Sequence, residues 1–422
     1  MANTIAAFNP EYWAKALQIL HKKQAVYRQI ANFRGQAMLK DGDVYHRVLP
    51  SSTYVQNYTP GSDLQVQPLN ATDDTLLVDK KIATLFSVDD IEKAQSTYDI
   101  TAQYGKDAVT NVTNNMDADV LFESTNAVSS VDMSDFGGTE GLPVAFDGSN
   151  VFDVMSKVME KLAIENIELN NLFGVISPVE WAVINSQVGA RETSFGDTVT
   201  KNGFTGNMLR YNGIDQYLSN NYTTSQVLGL ASNPTNGDRV AVAFRVPKTS
   251  GNPTGIVTIV YNFVSAIGTT PGNVLIGASA DATRANLVAA INNPGANNAT
   301  QVGFTGENLT YLQRRFSATN DDAANRAEIF YKGGDLRVNS DLTVTTDGFI
   351  AERATRHLLF GRKNAIDMIT QIAPTVRRSD IPLQFGDYIK VLALYGIKTF
   401  QDGAEQLVNV KLKFSAPAAP LA

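Results

Sequence analysis

Histidine can act as a metal ligand or a general base near neutral pH, and this chain has three histidines, His21, His46 and His357. They lie far apart in the sequence, and none has a second ligand or a nucleophile at the spacing typical of a site. We therefore expect no histidine-based metal centre or nucleophile unless the fold brings these positions together.

Adjacent aspartates are the next candidates, at Asp73-Asp74, Asp89-Asp90 and Asp321-Asp322. Two carboxylates could bind a hard cation or act as an acid and a base. Neighbouring side chains rarely point the same way, however, and acids are favoured beside the free N–H groups at helix starts. Helix caps and solvated turns are therefore the roles that we predict for these pairs.

The usual sequence motifs of catalysis are missing. Gly105-Lys106 lacks the upstream glycine and the following Ser or Thr of a phosphate-binding loop, and no GxGxxG, HExxH or GxSxG sequence occurs. The lack of cysteine removes thiolate catalysis, zinc fingers and disulfides, and it fits assembly in a reducing cytoplasm. The sequence therefore predicts a protein that is not an enzyme and has no metal and no cofactor.

Composition narrows the class of protein further. The 35 basic and 42 acidic residues give a formal charge of -7, which disfavours the whole chain as a nucleic-acid binder. No stretch reaches the roughly 18 apolar residues of a membrane span, and the N-terminus lacks the pattern of a signal peptide. The 422 residues have room for two or three domains.

The chain begins with a basic segment. Apolar residues three, four or seven apart predict a helix or an extended arm over residues 10–40, ended by Gly35. The cations Lys22, Lys23 and Arg28 could meet an acidic partner or nucleic acid, and a solvated basic helix face is the alternative.

Residues 43–86 predict a long β-hairpin. Its tip is polar and marked by Pro60-Gly61, and a second apolar run follows from Leu76 to Phe86. A two-stranded ribbon is only marginally stable by itself in water, so we expect a partner surface to support it.

Helices and a buried strand are expected next. One helix covers residues 89–124, with a cap at Ser87 and an interruption at Gly105. After a loop at 129–149, Asn150 caps a second helix. A strand at 172–176 then leads through Ser177-Pro178 into a third helix.

Residues 222–345 differ from the preceding part of the chain in their pattern of apolar and turn-forming residues. Alternating apolar positions and turn clusters predict a separate, mostly β insertion with one helix, Thr283–Asn292, capped by Ser279 or Asp281. Beyond it we expect a strand at His357–Phe360, a helix at Asn364–Ile372 and further strands up to residue 414. The tail, 415–422, is expected to be loose.

This succession resembles the major capsid proteins of tailed bacteriophages, which have the Hong Kong 97 phage fold. The stretch from Tyr58 to Asp63, followed by Leu76–Phe86 and Val88–Gln95, is similar to the family's extended loop leading into its spine helix. Further segments that resemble the family, in the family's order, are Val175–Pro178, Tyr211–Asp215, Leu218–Asn221, Lys363–Ile366, Phe385–Asp387 and Tyr395–Ile397. Gly277–Leu287 is similar to a segment of various phage virion proteins.

The resemblance implies an α+β fold of the Hong Kong 97 type with a mostly β inserted domain. The implied units are an N-terminal arm (1–42), an extended loop hairpin (43–86), a peripheral domain with the spine helix (87–170 plus 401–414), an axial domain (171–221 plus 346–400), the inserted domain (222–345) and the loose tail (415–422).

The implied function is a shell protein that assembles with itself into an icosahedral head around double-stranded DNA, forming pentamers and hexamers. Other implied partners are a separate scaffolding protein, a portal protein, packaged DNA bound without sequence specificity, and a decoration protein; no membrane is involved. The location would be the virion, after assembly in the host cytoplasm. Residues 43–78 contain no lysine, so the isopeptide welding of some family members is not expected.

The residues that we predict as assembly contacts lie in the hairpin tip and the basic arm: Tyr58, Pro60, Gly61, Asp63, Lys22, Lys23 and Arg28. Other functions stay open at this point. A cellular nanocompartment shell has the same fold, a tail-fibre or adhesin subunit would form elongated trimers, and a hydrolytic enzyme would need a clustered nucleophile or metal set.

Overall fold

The computed structural model describes residues 23–39, 42–61, 63–95, 100–190, 208–211, 213–246, 252, 254–342, 348–382 and 384–414. The helices in these ranges are α1 (Tyr27–Ile30), α2 (Asp90–Gln95), α3 (Ile100–Phe122), α4 (Val151–Ile164), α5 (Pro178–Ala190), α6 (Ala280–Asn292), α7 (Gly306–Arg315) and α8 (Gln401–Glu405). The first ten strands are β1 (Val44–Pro50), β2 (Ala71–Leu77), β3 (Lys80–Asp89), β4 (Ser129–Val131), β5 (Leu172–Ile176), β6 (Met208–Tyr211), β7 (Ile214–Leu218), β8 (Thr223–Gly229), β9 (Arg239–Arg245) and β10 (Ile256–Val264). The others are β11 (Asn273–Leu275), β12 (Phe316–Asp321), β13 (Arg326–Lys332), β14 (Leu336–Ser340), β15 (Gly348–Arg362), β16 (Asp367–Asp380), β17 (Gly386–Lys398) and β18 (Leu407–Lys413).

A nine-stranded mixed sheet runs through the molecule in the order β12-β13-β8-β15-β5-β7-β6, and β18 and β4 join it beside β15. Its strand β5 is buried along its whole length because both of its faces are covered. Phe173 and Val175 face a core shared with α3, whereas Leu172 and Ile176 face a second core shared with α4. The predicted strand at 172–176 is confirmed.

Helix α3 is the long helix that the sequence predicted, and it packs across a three-stranded sheet ordered β16-β17-β3. Its buried side is built from residues at four-residue spacing, Ala108, Val112, Met116 and Val120. Gly105 was expected to interrupt the helix, but it lies inside α3, where an added Cβ would be 3.2 Å from a methyl group of Val376. Close packing against the sheet explains this glycine.

Two predicted caps differ in the structure. Ser87 lies in β3, and the carboxylate of Asp89 instead accepts from Ile91 N–H at 2.7 Å at the start of α2. Asn150 does precede α4, but its side chain makes no cap bond and donates to Ala145 O at 2.6 Å. The loop expected at 129–149 contains β4, which pairs with β18.

The predicted hairpin is present, with β1 and β2 antiparallel from Val44 opposite Leu77 to Pro50 opposite Ala71. The second apolar run, however, is divided between two sheets. Its beginning completes β2, and its remainder lies in β3, which pairs with β17. The ribbon is therefore rooted directly beside the sheet that carries α3.

The helix predicted at Asn364–Ile372 is wrong, because this stretch enters strand β16, which pairs with β17 from Asp367 opposite Lys398. Short apolar runs do not separate helix from strand by periodicity alone. The pairing of the C-terminal strands also differs from the grouping of segments that the resemblance implies. Strands β16 and β17 lie with β3, whereas β18, in the segment 401–414, pairs with β15 in the nine-stranded sheet.

The segment 222–345 is mostly β, as predicted, and it contributes a four-stranded sheet ordered β11-β10-β9-β14. Three of its strands, β8, β12 and β13, extend the nine-stranded sheet, so the segment is joined to the central sheet and is not a separate body. The predicted helix is α6, which begins at Ala280 with a cap bond from Ala282 N–H to Ser279 Oγ. The segment also contains a helix that was not predicted, α7.

Candidate assembly surfaces

The root of the β1–β2 hairpin is fixed to the body by buried and charged contacts. Leu76 is fully buried, and the guanidinium of Arg47 lies 2.6 Å from both the Asp367 and the Asp402 carboxylates. The same guanidinium stacks 4.6 Å above the ring of Phe400. Burial raises the pKa of Asp367, although Arg47 opposes this shift. The ribbon therefore leaves the body in a defined direction.

The distal part of the hairpin, residues 51–61 and 63–70, has no ladder of strand pairing and is held by glutamine side chains. Gln56 donates its amide to Gln65 O at 2.7 Å and accepts from Gln65 N–H at 3.0 Å. Gln67 accepts from Tyr54 N–H at 3.1 Å and donates back to Tyr54 O. Each side-chain amide takes the place of a peptide group, so the two limbs stay together without a β-ladder.

We call these residues the distal loop, and its apolar side chains face solvent. Val55 is 98% exposed and Val66 is 94% exposed. The exposed large apolar residues of the distal loop are Tyr54, Val55, Tyr58, Leu64, Val66 and Leu69. Burying such a side chain contributes roughly 1.5–3 kcal/mol, so an exposed set on one projection marks an interaction surface.

The predicted contacts of the hairpin tip lie on this surface. Tyr58, Pro60 and Asp63 are exposed, and Gly61 adopts a φ of +88°, a left-handed turn conformation that favours glycine. The structure brings these four residues together at one end of the ribbon. Their part in assembly stays a prediction.

The predicted contacts of the basic arm have different surroundings. Lys22 lies outside the described residues, and Lys23 is partly buried, with its ammonium donating to Asn220 O at 2.9 Å and to Gly333 O. Burial, assisted by the positive charge of Arg315, lowers the pKa of Lys23 to about 7. Arg28 is exposed. Of the two described cations, Arg28 faces solvent and Lys23 is bound by two backbone carbonyls, and the part of both in assembly stays a prediction.

Residues 23–31 lie against the protein's own body because Asp117 of α3 binds them. Its Oδ1 accepts from the N–H groups of Val26 and Tyr27 at 2.7 and 2.8 Å, and its Oδ2 accepts from Asn221 Nδ2 at 2.7 Å. Burial raises the pKa of Asp117, and these hydrogen bonds oppose the shift. This anchor was not predicted from the sequence. The one indication there is the position of Asp117, an acidic residue one helical turn from Leu121 on the buried side of α3.

The structure also brings one histidine into a polar group that the sequence could not predict. His357 Nε2 lies 2.9 Å from Ser225 Oγ, and Nδ1 lies 3.0 Å from the side-chain amide of Asn409. Serine, histidine and asparagine can form a nucleophile relay. Here, however, Ser225 is 0% exposed and burial lowers the pKa of His357 to about 4, so the group lies where no substrate reaches it. We interpret it as a buried polar network that joins β8, β15 and β18.

The aspartate pairs have structural partners. Asp89 caps α2, Asp321 accepts from Ala324 N–H at 3.1 Å, and Asp322 lies 2.9 Å from Arg284. These contacts confirm the cap and turn roles predicted for Asp89 and Asp321. Asp73 lies 2.7 Å from His46, and Asp74 pairs with Lys398.

Within the described ranges, no group of three or more His, Cys, Asp or Glu side chains is arranged to hold a metal ion. None of the helices in those ranges is long and apolar enough to span a membrane.

The overall arrangement is similar to that of phage proteins of known structure. A structure of Mycobacterium phage Che8 matches with a TM-score of 0.55 and 15% identity, over 95% of this chain and 96% of that chain. The capsid structure of the cyanophage P-SCSP1u matches with a TM-score of 0.50 and 10% identity, over 99% of this chain and 96% of that chain. No protein-family model and no curated protein matches the sequence. The predicted fold class is confirmed: the chain has the α+β fold of phage capsid structures, the Hong Kong 97 type.

Proposed function

We propose that this chain is the major capsid protein of a tailed bacteriophage, which assembles with itself into the icosahedral head shell around double-stranded DNA. The observation that carries the proposal is the distal loop, a projection with exposed apolar residues on a ribbon whose root is fixed by Arg47. The fold supports the proposal through its end-to-end similarity to the capsid structure of the cyanophage P-SCSP1u. The buried position of Ser225 and His357 supports a structural role over an enzymatic one.

The physical mechanism is repeated contact between non-identical surfaces of identical subunits. Such contacts generate closed rings when the rotation between subunits closes, which fits pentamers and hexamers. A fixed root lets the ribbon reach a neighbour at little entropic cost, because its direction is already set. Many modest contacts then act together in a closed shell.

The further partners follow from this proposal. A separate scaffolding protein would guide assembly, a portal protein would occupy one vertex, DNA would be enclosed without sequence recognition, and a decoration protein could bind outside. The shell would form in the host cytoplasm and remain in the virion. Within it, we propose that α3 with β3, β16 and β17 forms the peripheral unit and that β5, β7, β15 and β18 belong to the axial unit.

The test places charge on the loop. In the double variant Val55→Asp, Val66→Asp, two almost fully exposed valines become carboxylates, which should leave the subunit folded and prevent burial of the loop. The matched control is Val128→Asp, Val179→Asp, because these valines are also exposed but lie outside the hairpin. Electron microscopy of particles from cells that also produce the genomic neighbours should show closed shells for the control and soluble subunits for the loop variant. Normal shells from the loop variant would contradict the proposal.

A further inference from the structure

Four separate parts of the chain converge on an open cleft of about 540 Å³, where β5 and β18 begin and β15 ends in the nine-stranded sheet. The arm contributes Arg34, the segment before β5 contributes Asn171, the end of β15 and the turn after it contribute residues 362–364, and the turn before β18 contributes Gln406. The cleft has the size of a small-molecule site. It is distinct from the distal loop.

The walls of the cleft are joined by backbone hydrogen bonds. Lys363 N–H donates to Asn171 O at 3.0 Å, Arg362 N–H donates to Gln406 O at 3.0 Å, and Asn364 N–H donates to Ile30 O at 2.8 Å. Asn171 and Asn364 adopt left-handed φ angles of 51° and 70°, which are uncommon outside glycine. These bonds use the carbonyl oxygens of three segments around the cleft, so a ligand would be contacted mainly by side chains.

Among the described residues, the lining has three cationic side chains and no carboxylate. Arg362 pairs with Glu168 at 3.0 Å, and Lys363 pairs with Asp215 at 2.6 Å. Glu168 is 67% exposed, so its hold on Arg362 is weak. Within the described ranges, the Arg34 guanidinium has no acidic partner, and the Asn171 and Asn364 side-chain amides have no hydrogen bond.

We propose that this cleft binds a phosphate-type oxyanion. A guanidinium presents paired N–H donors that match two oxygens of a phosphate, and the neighbouring ammonium and amide groups supply further donors. Binding would neutralise Arg34 without displacing the pairs made by Arg362 and Lys363. The anion can be free phosphate or a phosphodiester of a nucleic acid, and both present the same oxygens.

The test uses the full chain, with inorganic phosphate and a short DNA duplex as separate probes in isothermal titration calorimetry at low salt. Arg34→Gln should weaken phosphate binding by about tenfold or more, which is the size of one charge-assisted interaction. Asn364→Gly keeps the left-handed backbone and removes one amide, so it should weaken binding as well. The control Arg245→Gln removes an exposed arginine of β9 that is not part of the cleft lining, and it should bind as the wild type does.

The two probes separate the sources of the anion. Loss of both phosphate and duplex binding in Arg34→Gln supports a phosphodiester ligand, and loss of phosphate binding with no duplex binding in any variant supports the free ion. The proposal is overturned if the wild type does not bind phosphate, or if Arg34→Gln and Arg245→Gln bind it equally. Neither result depends on shell formation, so the proposed function stands or falls separately.

Discussion

The buried carboxylate of Asp117 allows the docking of the arm to be tested quantitatively. Three strong donors converge on it, the N–H groups of Val26 and Tyr27 and the amide of Asn221, all within 2.8 Å. Asp117→Ala leaves these donors without their acceptor in a buried site, at a cost of about 1–2 kcal/mol each. We therefore expect the free energy of unfolding of this region to fall by about 3–6 kcal/mol.

The assay is hydrogen exchange followed by mass spectrometry, read on peptides that cover residues 23–31. In Asp117→Ala these amides should exchange faster, while peptides from β9 and β10 in the four-stranded sheet should keep their protection. The matched control is Asp153→Ala, which removes an exposed acid from the first turn of α4 and should change stability by less than about 1 kcal/mol. Equal protection of residues 23–31 in the two variants would refute the account of the anchor.

Two further predictions concern the hairpin root and acid stability. Arg47→Ala removes the contacts with Asp367 and Asp402, so we expect faster amide hydrogen exchange in β1 and β2 and fewer closed shells. Arg47→Lys keeps the positive charge and should show smaller changes in both. Unchanged exchange in Arg47→Ala would contradict the role of Arg47 in fixing the hairpin root. His357 has a folded-state pKa of about 4, lowered by burial, so the unfolded chain takes up its proton first as the pH falls below about 6.5. The melting temperature should therefore fall between pH 6.5 and 4, and His357→Gln should make that fall shallower; parallel curves would show that this residue does not contribute.

Local patterns predicted those elements whose environment is set by neighbours in sequence. The run Leu172–Ile176 is apolar throughout and is followed by Ser177-Pro178, so strand, cap and helix were all readable. The hairpin was readable from its Pro60-Gly61 tip and flanking β-prone runs. By contrast, Asn364–Ile372 carries a short apolar run that suits a helix or a strand, and only its pairing with β17 decides between them.

The candidate sites depended on contacts between distant parts of the chain. Lys23 resembled a solvent-facing cation in sequence, yet the carbonyls that bind it come from Asn220 and Gly333. The phosphate cleft joins Arg34 to Asn171 and Arg362, and no spacing rule relates these positions. The exposed tip of the hairpin is predictable because its polar, turn-forming composition is local. The exposure of the apolar side chains along the rest of the distal loop is not, because it depends on the absence of contacts with the body of the protein.

In the proposed shell, the distal loop packs against a neighbouring copy of the same chain. This contact is tested most directly by placing a photo-crosslinking amino acid at Val55 in assembled particles and identifying the crosslinked peptides by mass spectrometry. With subunits labelled by two different isotopes and assembled together, the account predicts mixed-label crosslinks from Val55 to a neighbouring chain. Crosslinks found only within one chain, or none at all in intact shells, would contradict it.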